Sequence, residues 1–190
     1  EVHGLVRAEG HLKDTEATEV VGDLLDAGRI EEIITDLKPD GIFHLGAPQT
    51  SVGKSWQDPE RSIRENLDST LSVLGGCRKV GHKPRVLYVS SAEVVGSVGT
   101  KGQPLDEAAQ VHPESPYAVS KAVGEQVSQF YAEQLEVEVI IVRPFNHIGP
   151  GQRETFVFPS FAKQIAEIEQ EGRGQMKVGN LEAKRDFTDV

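Results

Sequence analysis

The sequence predicts a doubly wound α/β domain on a mostly parallel sheet. Short apolar, β-branched runs alternate with longer stretches of helical periodicity along the whole chain. Val137–Val142 is almost continuously apolar, as expected of a strand covered on both faces of a sheet. The segments Gly46-Ala47, Ser90-Ser91 and Pro144-Phe145-Asn146 each follow a strand-like run. Ligands of such sheets bind there, beyond the carboxyl ends of the strands.

Val2–Val6 reads as the first strand and Thr18–Val21 as the second, followed by the turn Gly22-Asp23-Leu24. Ile30–Leu37 has helical periodicity and stops before Pro39, because the residue preceding a proline is pushed out of the helical region. Gly41–Leu45 is a third strand. Pro59–Val80 is a long helix with Ile63, Leu67, Leu71 and Leu74 at helical spacing. Arg85–Val89 is a buried-strand run ending at Ser90-Ser91. Ser115 as N-cap and Pro116 at the first helical position open a second long helix, to Leu135. Val137–Val142 is the next strand, Val157–Glu171 a helix and Met176–Val178 a short final strand. No repeat, low-complexity segment or linker interrupts the pattern.

At 190 residues the chain suits one domain with a real core. No apolar run approaches membrane-spanning length, and the first residues do not resemble a signal peptide. Cys77 is the single cysteine, which excludes an internal disulfide and suits a reducing, cytoplasmic setting; its helical context suits a small buried thiol. A net charge of -10 argues against a nucleic-acid surface. An anionic substrate therefore needs local arginines. The six histidines show no metal-ligand spacing, so no metal is expected.

Ser115-Pro116-Tyr117-Ala118-Val119-Ser120-Lys121 carries the candidate chemistry. On a helix, Tyr117 and Lys121 share a face. An ammonium about 4 Å from a phenol contributes up to about 4 kcal/mol at intermediate dielectric, enough to bring the phenol towards neutral pH. Tyr117 is then a proton donor or acceptor for a carbonyl/alcohol couple, and Ser91 can hydrogen-bond the same oxygen. Alone, such a pair is an ordinary solvated helix-surface pair. The strand ending at Ser91 and the capped helix start give it context.

These residues resemble the extended short-chain dehydrogenase/reductases, the NAD-dependent epimerase/dehydratase group that acts on nucleotide sugars, along essentially the whole chain. Ser91, Tyr117 and Lys121 match the family's catalytic triad. His44-Leu45-Gly46-Ala47 matches the loop that packs against the cofactor, and Gly22-Asp23-Leu24 the adenine-contacting turn. Arg143-Pro144-Phe145-Asn146-His147-Ile148-Gly149-Pro150-Gly151-Gln152 and Val178-Gly179-Asn180-Leu181-Glu182-Ala183-Lys184-Arg185-Asp186-Phe187 look like GDP-4-keto-6-deoxy-mannose reductases; Glu154-Thr155-Phe156-Val157 looks like GDP-mannose 4,6-dehydratases. Glu93 matches the glutamate with which a dehydratase eliminates water. Val95 stands where the family often has a tyrosine.

The resemblance implies a Rossmann-like fold, NADP(H) as cofactor, a GDP-linked hexose as substrate and a homodimer through the long helices. Arg7, with no acid at the end of the first strand, suits a 2′-phosphate; Asp23, Leu24, Leu45, Gly46, Ala47, Tyr117, Lys121 and Pro144 complete the expected cofactor set. Ser91, Asn146, Arg153 and Arg185 are the expected substrate residues, Arg185 for a diphosphate. His147 reads as structural. The family's Gly-x-x-Gly-x-x-Gly loop is not in the chain, which starts at what resembles the second family strand and stops where the family continues into its substrate-binding part. The expectation is a fragment: one dinucleotide-binding domain over 1–190, with 145–190 beginning the substrate part. The implied activity is NADPH-dependent reduction of a GDP-4-keto-6-deoxyhexose. The alternatives are a dehydratase or epimerase, or a non-catalytic nucleotide-binding scaffold.

Overall fold

The computed structural model describes residues 1–13, 15–48, 52–100, 104–182 and 184–190, with backbone alone at 98–100. Ala183, within the second reductase-like motif, thus lies outside the described residues. The chain divides into two compact units, Glu1–Arg143 and Pro144–Val190.

The first unit opens with β1 (His3–Val6) and β2 (Thr18–Val21), a parallel pair in register from His3↔Thr18 to Val6↔Val21. Their connection is held by Glu19, whose carboxylate accepts the amides of Gly10 and Leu12, each at 2.6 Å. α1 (Ala27–Leu37) starts at Asp26, whose side chain accepts from the Arg29 amide, and ends on Lys38 in the left-handed region. β3 (Gly41–His44), the short α2 (Val52–Ser55) and the long α3 (Pro59–Lys79) follow. Asp58 caps α3 and Pro59 opens it, where a missing N–H costs nothing. Then come β4 (Arg85–Val89), a kinked 3-10 segment (Ala92–Thr100), α4 (Pro116–Gln134) and β5 (Val139–Val142).

β3, β4 and β5 form one parallel sheet in that order, with Gly41 opposite Arg85 and Val86 opposite Val139. All ladders among the described strands are parallel. The main core joins Ile30 and Ile34 of α1, Val73, Leu74 and Cys77 of α3, Val86 of β4, and Val137. Thus the helices cover one face of the sheet. On the opposite face Phe43, Leu87 and Ile140 lie side by side across the three strands, and Phe43 is 72% exposed. Cover on both faces, expected from the apolar run at Val137–Val142, is therefore one-sided within this unit.

The buried face of α3 also differs from expectation. Of the Ile63, Leu67, Leu71, Leu74 stripe only Leu74 is fully buried, while Ser62, Asn66, Ser69, Thr70, Val73 and Cys77 face inward. Small polar residues can do this because Ser69 and Thr70 donate their hydroxyls to the Asn66 carbonyl and Ser72 donates to Asp68. A hydroxyl bonded within its own helix can be buried at little cost.

In the second unit β6 (Asn146–Ile148) pairs in parallel with β7 (Phe187–Asp189), and α5 (Val157–Glu171) ends at Gly172 in the left-handed region. Phe158 meets Phe187 edge-to-face at 4.6 Å. Met176–Val178 is not a strand. The Gln164 side chain on α5 accepts the Lys177 amide at 2.6 Å and donates to the Lys177 carbonyl at 3.2 Å, taking the backbone groups a ladder would use.

α1 and α3 meet closely at Gly76. A Cβ there would lie 2.9 Å from the Ile34 δ-methyl and 3.6 Å from the Glu31 Cα. Gly76→Leu should therefore push the two helices apart and cost about 1–3 kcal/mol, read from urea denaturation. An unchanged midpoint would show that the contact tolerates bulk.

Candidate active site

The candidate residues of the first unit gather at the C-terminal end of β4 and the first turns of α4. α4 begins at Ser115, whose hydroxyl accepts from the Ala118 amide at 3.1 Å. The Tyr117 amide, a second orphan donor of that turn, is accepted at 3.2 Å by the hydroxyl of Ser55, which itself donates to the Val52 carbonyl at 2.7 Å. Thus α2 holds Tyr117 from outside the helix. The Ser91 side chain faces the Tyr117 phenol closely enough to lower its pKa, and the Ser91 hydroxyl accepts the Glu93 amide at 3.2 Å. Lys121, one turn along α4, is 5% exposed and donates its ammonium to the Val89 carbonyl at 2.7 Å. Ser91, Glu93, Tyr117 and Lys121 are thereby brought together.

Electrostatics correct one expectation. The phenol of Tyr117 is held above its ordinary range, first by burial and then by the Glu93 charge, with Ser91 opposing both. Lys121 does not pull it down. Its Nζ is 6.0 Å from the Tyr117 ring centre and directed to Val89, and burial alone depresses its own pKa to about 8. Spacing on a helix places the pair on one face; the loss of solvent sets their titration. Tyr117 is accordingly a protonated phenol at neutral pH, suited to giving a proton. His44, at the end of β3, is lowered to about 4, by burial and then by the Lys121 charge, and is neutral.

The walls of the site are fixed by backbone and ion-pair geometry. In the 3-10 segment Gly96 has φ +55, and a Cβ there would run into the His112 carbonyl, so the chain needs glycine. Glu114 then accepts both the amide and hydroxyl of Ser97, at 3.1 and 2.5 Å. Val95 is buried with Val94 and Ala122 in an apolar cluster. Arg143, at the end of β5, grips the buried Glu125 of α4 with two bonds of 2.9 and 2.8 Å and reaches the carbonyls of Glu107 and Ala109.

The expected cofactor residues of this unit lie beyond β1, β2 and β3. Arg7 is 3.7 Å from Asp23 and exposed. Leu24 sits on Gly46, where a Cβ would collide with its δ-methyl. Leu45 is exposed and Ala47 half-buried. Pro144, Asn146, Arg153 and Arg185 belong to the second unit. There the Asn146 amide donates to the Asp186 carbonyl at 3.1 Å, and the Arg185 guanidinium to the Lys184 carbonyl at 2.9 Å. Gln152 donates to the His147 carbonyl at 2.8 Å. Ser55, Thr70, Tyr88 and Gly124 escaped the sequence reading. The available signal was Tyr88, a hydroxyl inside an apolar strand, which needs a buried partner.

A parallel α/β unit with Ser91, Tyr117 and Lys121 gathered at a strand end has the fold of the extended short-chain dehydrogenase/reductases. A profile for GDP-mannose 4,6 dehydratase matches residues 2–190, and the chain belongs to that family. It is 38% identical over 169 residues to a GDP-6-deoxy-D-mannose reductase of Pseudomonas aeruginosa, covering 88% of this chain and 55% of the relative. It is 32% identical to a GDP-mannose 4,6-dehydratase of Vibrio cholerae, covering 98% and 54%. The structure of RMD from Pseudomonas aeruginosa complexed with NADPH superposes with a TM-score of 0.81 at 36% identity, covering 92% of this chain and 61% of that one. A UDP-N-acetylglucosamine 4-epimerase from Methanobrevibacter ruminantium superposes at 0.80 with 30% identity, covering 96% and 58%. The chain spans about half the length of the curated relatives it matches.

Burial of Lys121 has a stability consequence. Its folded pKa of about 8 lies below the ordinary lysine value of 10.5. Between these the unfolded chain binds more protons, so stability rises with pH across that window and the buried ammonium costs stability below it. Lys121→Met should raise the thermal midpoint at neutral pH and flatten the rise above pH 8, the removed cost being on the order of 3 kcal/mol less the lost Val89 bond. A lower midpoint in melts across that range would contradict the burial argument.

Proposed function

We propose that the full-length protein is an NADPH-dependent reductase of a GDP-linked 4-keto-6-deoxyhexose. The observation that carries this is a protonated, half-buried Tyr117 beside Ser91 with Lys121 one turn along the helix, in a chain 38% identical to a GDP-6-deoxy-D-mannose reductase. The bound NADPH supplies the hydride that reaches C4. Tyr117 gives its proton to the C4 oxygen, so ketone becomes secondary alcohol and phenol becomes phenolate. Ser91 donates to the same oxygen and orients the carbonyl. Lys121, its ammonium fixed by the Val89 carbonyl, would hold the nicotinamide ribose.

The residues present fit such a cofactor. Arg7 is an exposed cation loosely paired at 3.7 Å, free to turn to a 2′-phosphate. Asp23, Leu24, Leu45, Gly46, Ala47 and Pro144 are proposed to line the rest of its site. Asn146, Arg153 and Arg185 are proposed to hold the sugar nucleotide, with 145–190 beginning the substrate part. The half-exposed stripe with Leu71 on α3, and Phe130 on α4, 53% exposed, support a homodimer through these helices. A cytoplasmic location accords with the lone, buried Cys77.

One observation favours a second reading. Glu93 is exposed yet close enough to raise the Tyr117 pKa, as a base for elimination of water in a GDP-mannose 4,6-dehydratase would be.

With NADPH and GDP-4-keto-6-deoxy-mannose, loss of reduced-nicotinamide absorbance is expected. Tyr117→Phe should slow it by roughly a hundredfold or more while NADPH affinity stays nearly intact. Wild-type-like turnover in that variant would remove Tyr117 from the chemistry. Glu93→Gln separates the two readings: a reductase should keep most of its rate, whereas consumption of GDP-mannose that collapses in this variant would establish the dehydratase.

A further inference from the structure

The rings of Tyr88 and Tyr117 both lie near the Lys121 ammonium, and only Tyr117 has a role so far. Tyr88, on β4, is 2% exposed. Its hydroxyl donates to the Lys121 main-chain carbonyl at 3.3 Å. Its ring face lies under the Lys121 ammonium, 5.4 Å from Nζ to the ring centre, closer than the 6.0 Å to Tyr117. One side chain thus touches both ends of the lysine. Burial also holds the Tyr88 phenol far above its ordinary range, so it stays a donor and never ionises. It cannot exchange roles with Tyr117.

This arrangement needs a notch in α4. A Cβ on Gly124 would lie 2.6 Å from the Tyr88 Cζ and nearer still to its hydroxyl. The ring is locked in the core and cannot move aside. It packs on His44 at 5.8 Å between ring centres, and the His44 Nε2 is 3.2 Å from the Thr70 hydroxyl. That hydroxyl already gives its proton to the Asn66 carbonyl at 3.0 Å. It therefore accepts from His44, which fixes the imidazole as the Nε2–H tautomer with no positive charge turned on the lysine.

We infer that Tyr88 is a positioning residue for Lys121, seated by the missing side chain of Gly124, and that it holds the ammonium in its charged form at the proposed active site. The ring face attracts a cation and the hydroxyl fixes the turn that carries it. The titratable groups that meet Lys121 are Tyr88 on β4, Tyr117 on α4 and neutral His44 on β3; beyond them Glu125, paired with Arg143, acts on Tyr88, and Glu93 acts on Tyr117.

The inference rests on the proposed reductase reading only for its activity arm, and the test keeps the two apart. In the full-length protein the ε-carbon resonance of Lys121 is titrated with pH, which needs no turnover. Tyr88→Leu should move its midpoint to lower pH, whereas Tyr88→Phe, which keeps the ring, should leave it in place. NADPH oxidation should fall roughly fivefold at pH 8 in Tyr88→Leu, with its loss at high pH beginning earlier. Gly124→Ala should destabilise the wild-type background and be tolerated in the Tyr88→Leu background. That double variant provides a folded protein in which the Lys121 midpoint is still displaced. An unmoved midpoint in Tyr88→Leu and in the double variant overturns the inference, whatever the activity. A displaced midpoint in a protein that never oxidises NADPH upholds it and discards the reductase reading.

Discussion

An ammonium held out of water where β4 meets α4 is the constraint on which the rest of the first unit depends. Lys121 can be buried there because the Val89 carbonyl accepts from it at the last residue of the strand. Strand β4 must therefore end where it does, and α4 must cross it at that height. His44 must stay neutral, since a second cation in the same dry space would be costly. Tyr88 and Gly124 fit one another because the lysine needs an aromatic floor. The chemistry proposed for Tyr117 follows, because the same lack of solvent keeps its phenol protonated and ready to donate.

The helices that enclose this charge are joined by a polar seam. Asn66 of α3 donates to the Ser120 hydroxyl of α4 at 2.8 Å, and Ser120 donates on to the Tyr117 carbonyl at 2.7 Å. Ser62 and Ser69 of α3 and Ser128 of α4 are also fully or almost fully buried. Short side chains let the two helices approach closely, and a hydrogen-bonded chain fixes their register where an oily contact would let them slide. The register of α3 against α4 is also the register of the lysine against the strand end.

Much of this was legible in the sequence. Residues Arg85–Val89, Thr18–Val21 and Val157–Glu171 form the elements their periodicity predicts, with matching bounds. Ser115-Pro116 marks the start of α4, because capping chemistry is local. The parallel α/β class was legible too, as was the grouping of Ser91, Glu93, Tyr117 and Lys121. What was not legible depends on solvent and on distant partners. The outward Leu71 and inward Ser69 of α3 invert a hydropathy pattern, because self-bonded hydroxyls cost little to bury. Met176–Val178 has strand composition, yet one glutamine side chain claims its backbone. The direction of the Tyr117 shift needed the depth of the site, which spacing does not encode.

The tie between Ser55 and the Tyr117 amide joins positions 62 residues apart. Its consequence concerns the order of assembly. The body of α4 can form from local contacts, but its first turn is completed only when a distant segment of chain has closed onto it, and such long closures come late in folding. The proposed proton donor thus sits in a turn whose geometry reports that the surrounding structure is already in place. A half-folded chain carries the tyrosine without the means to aim it.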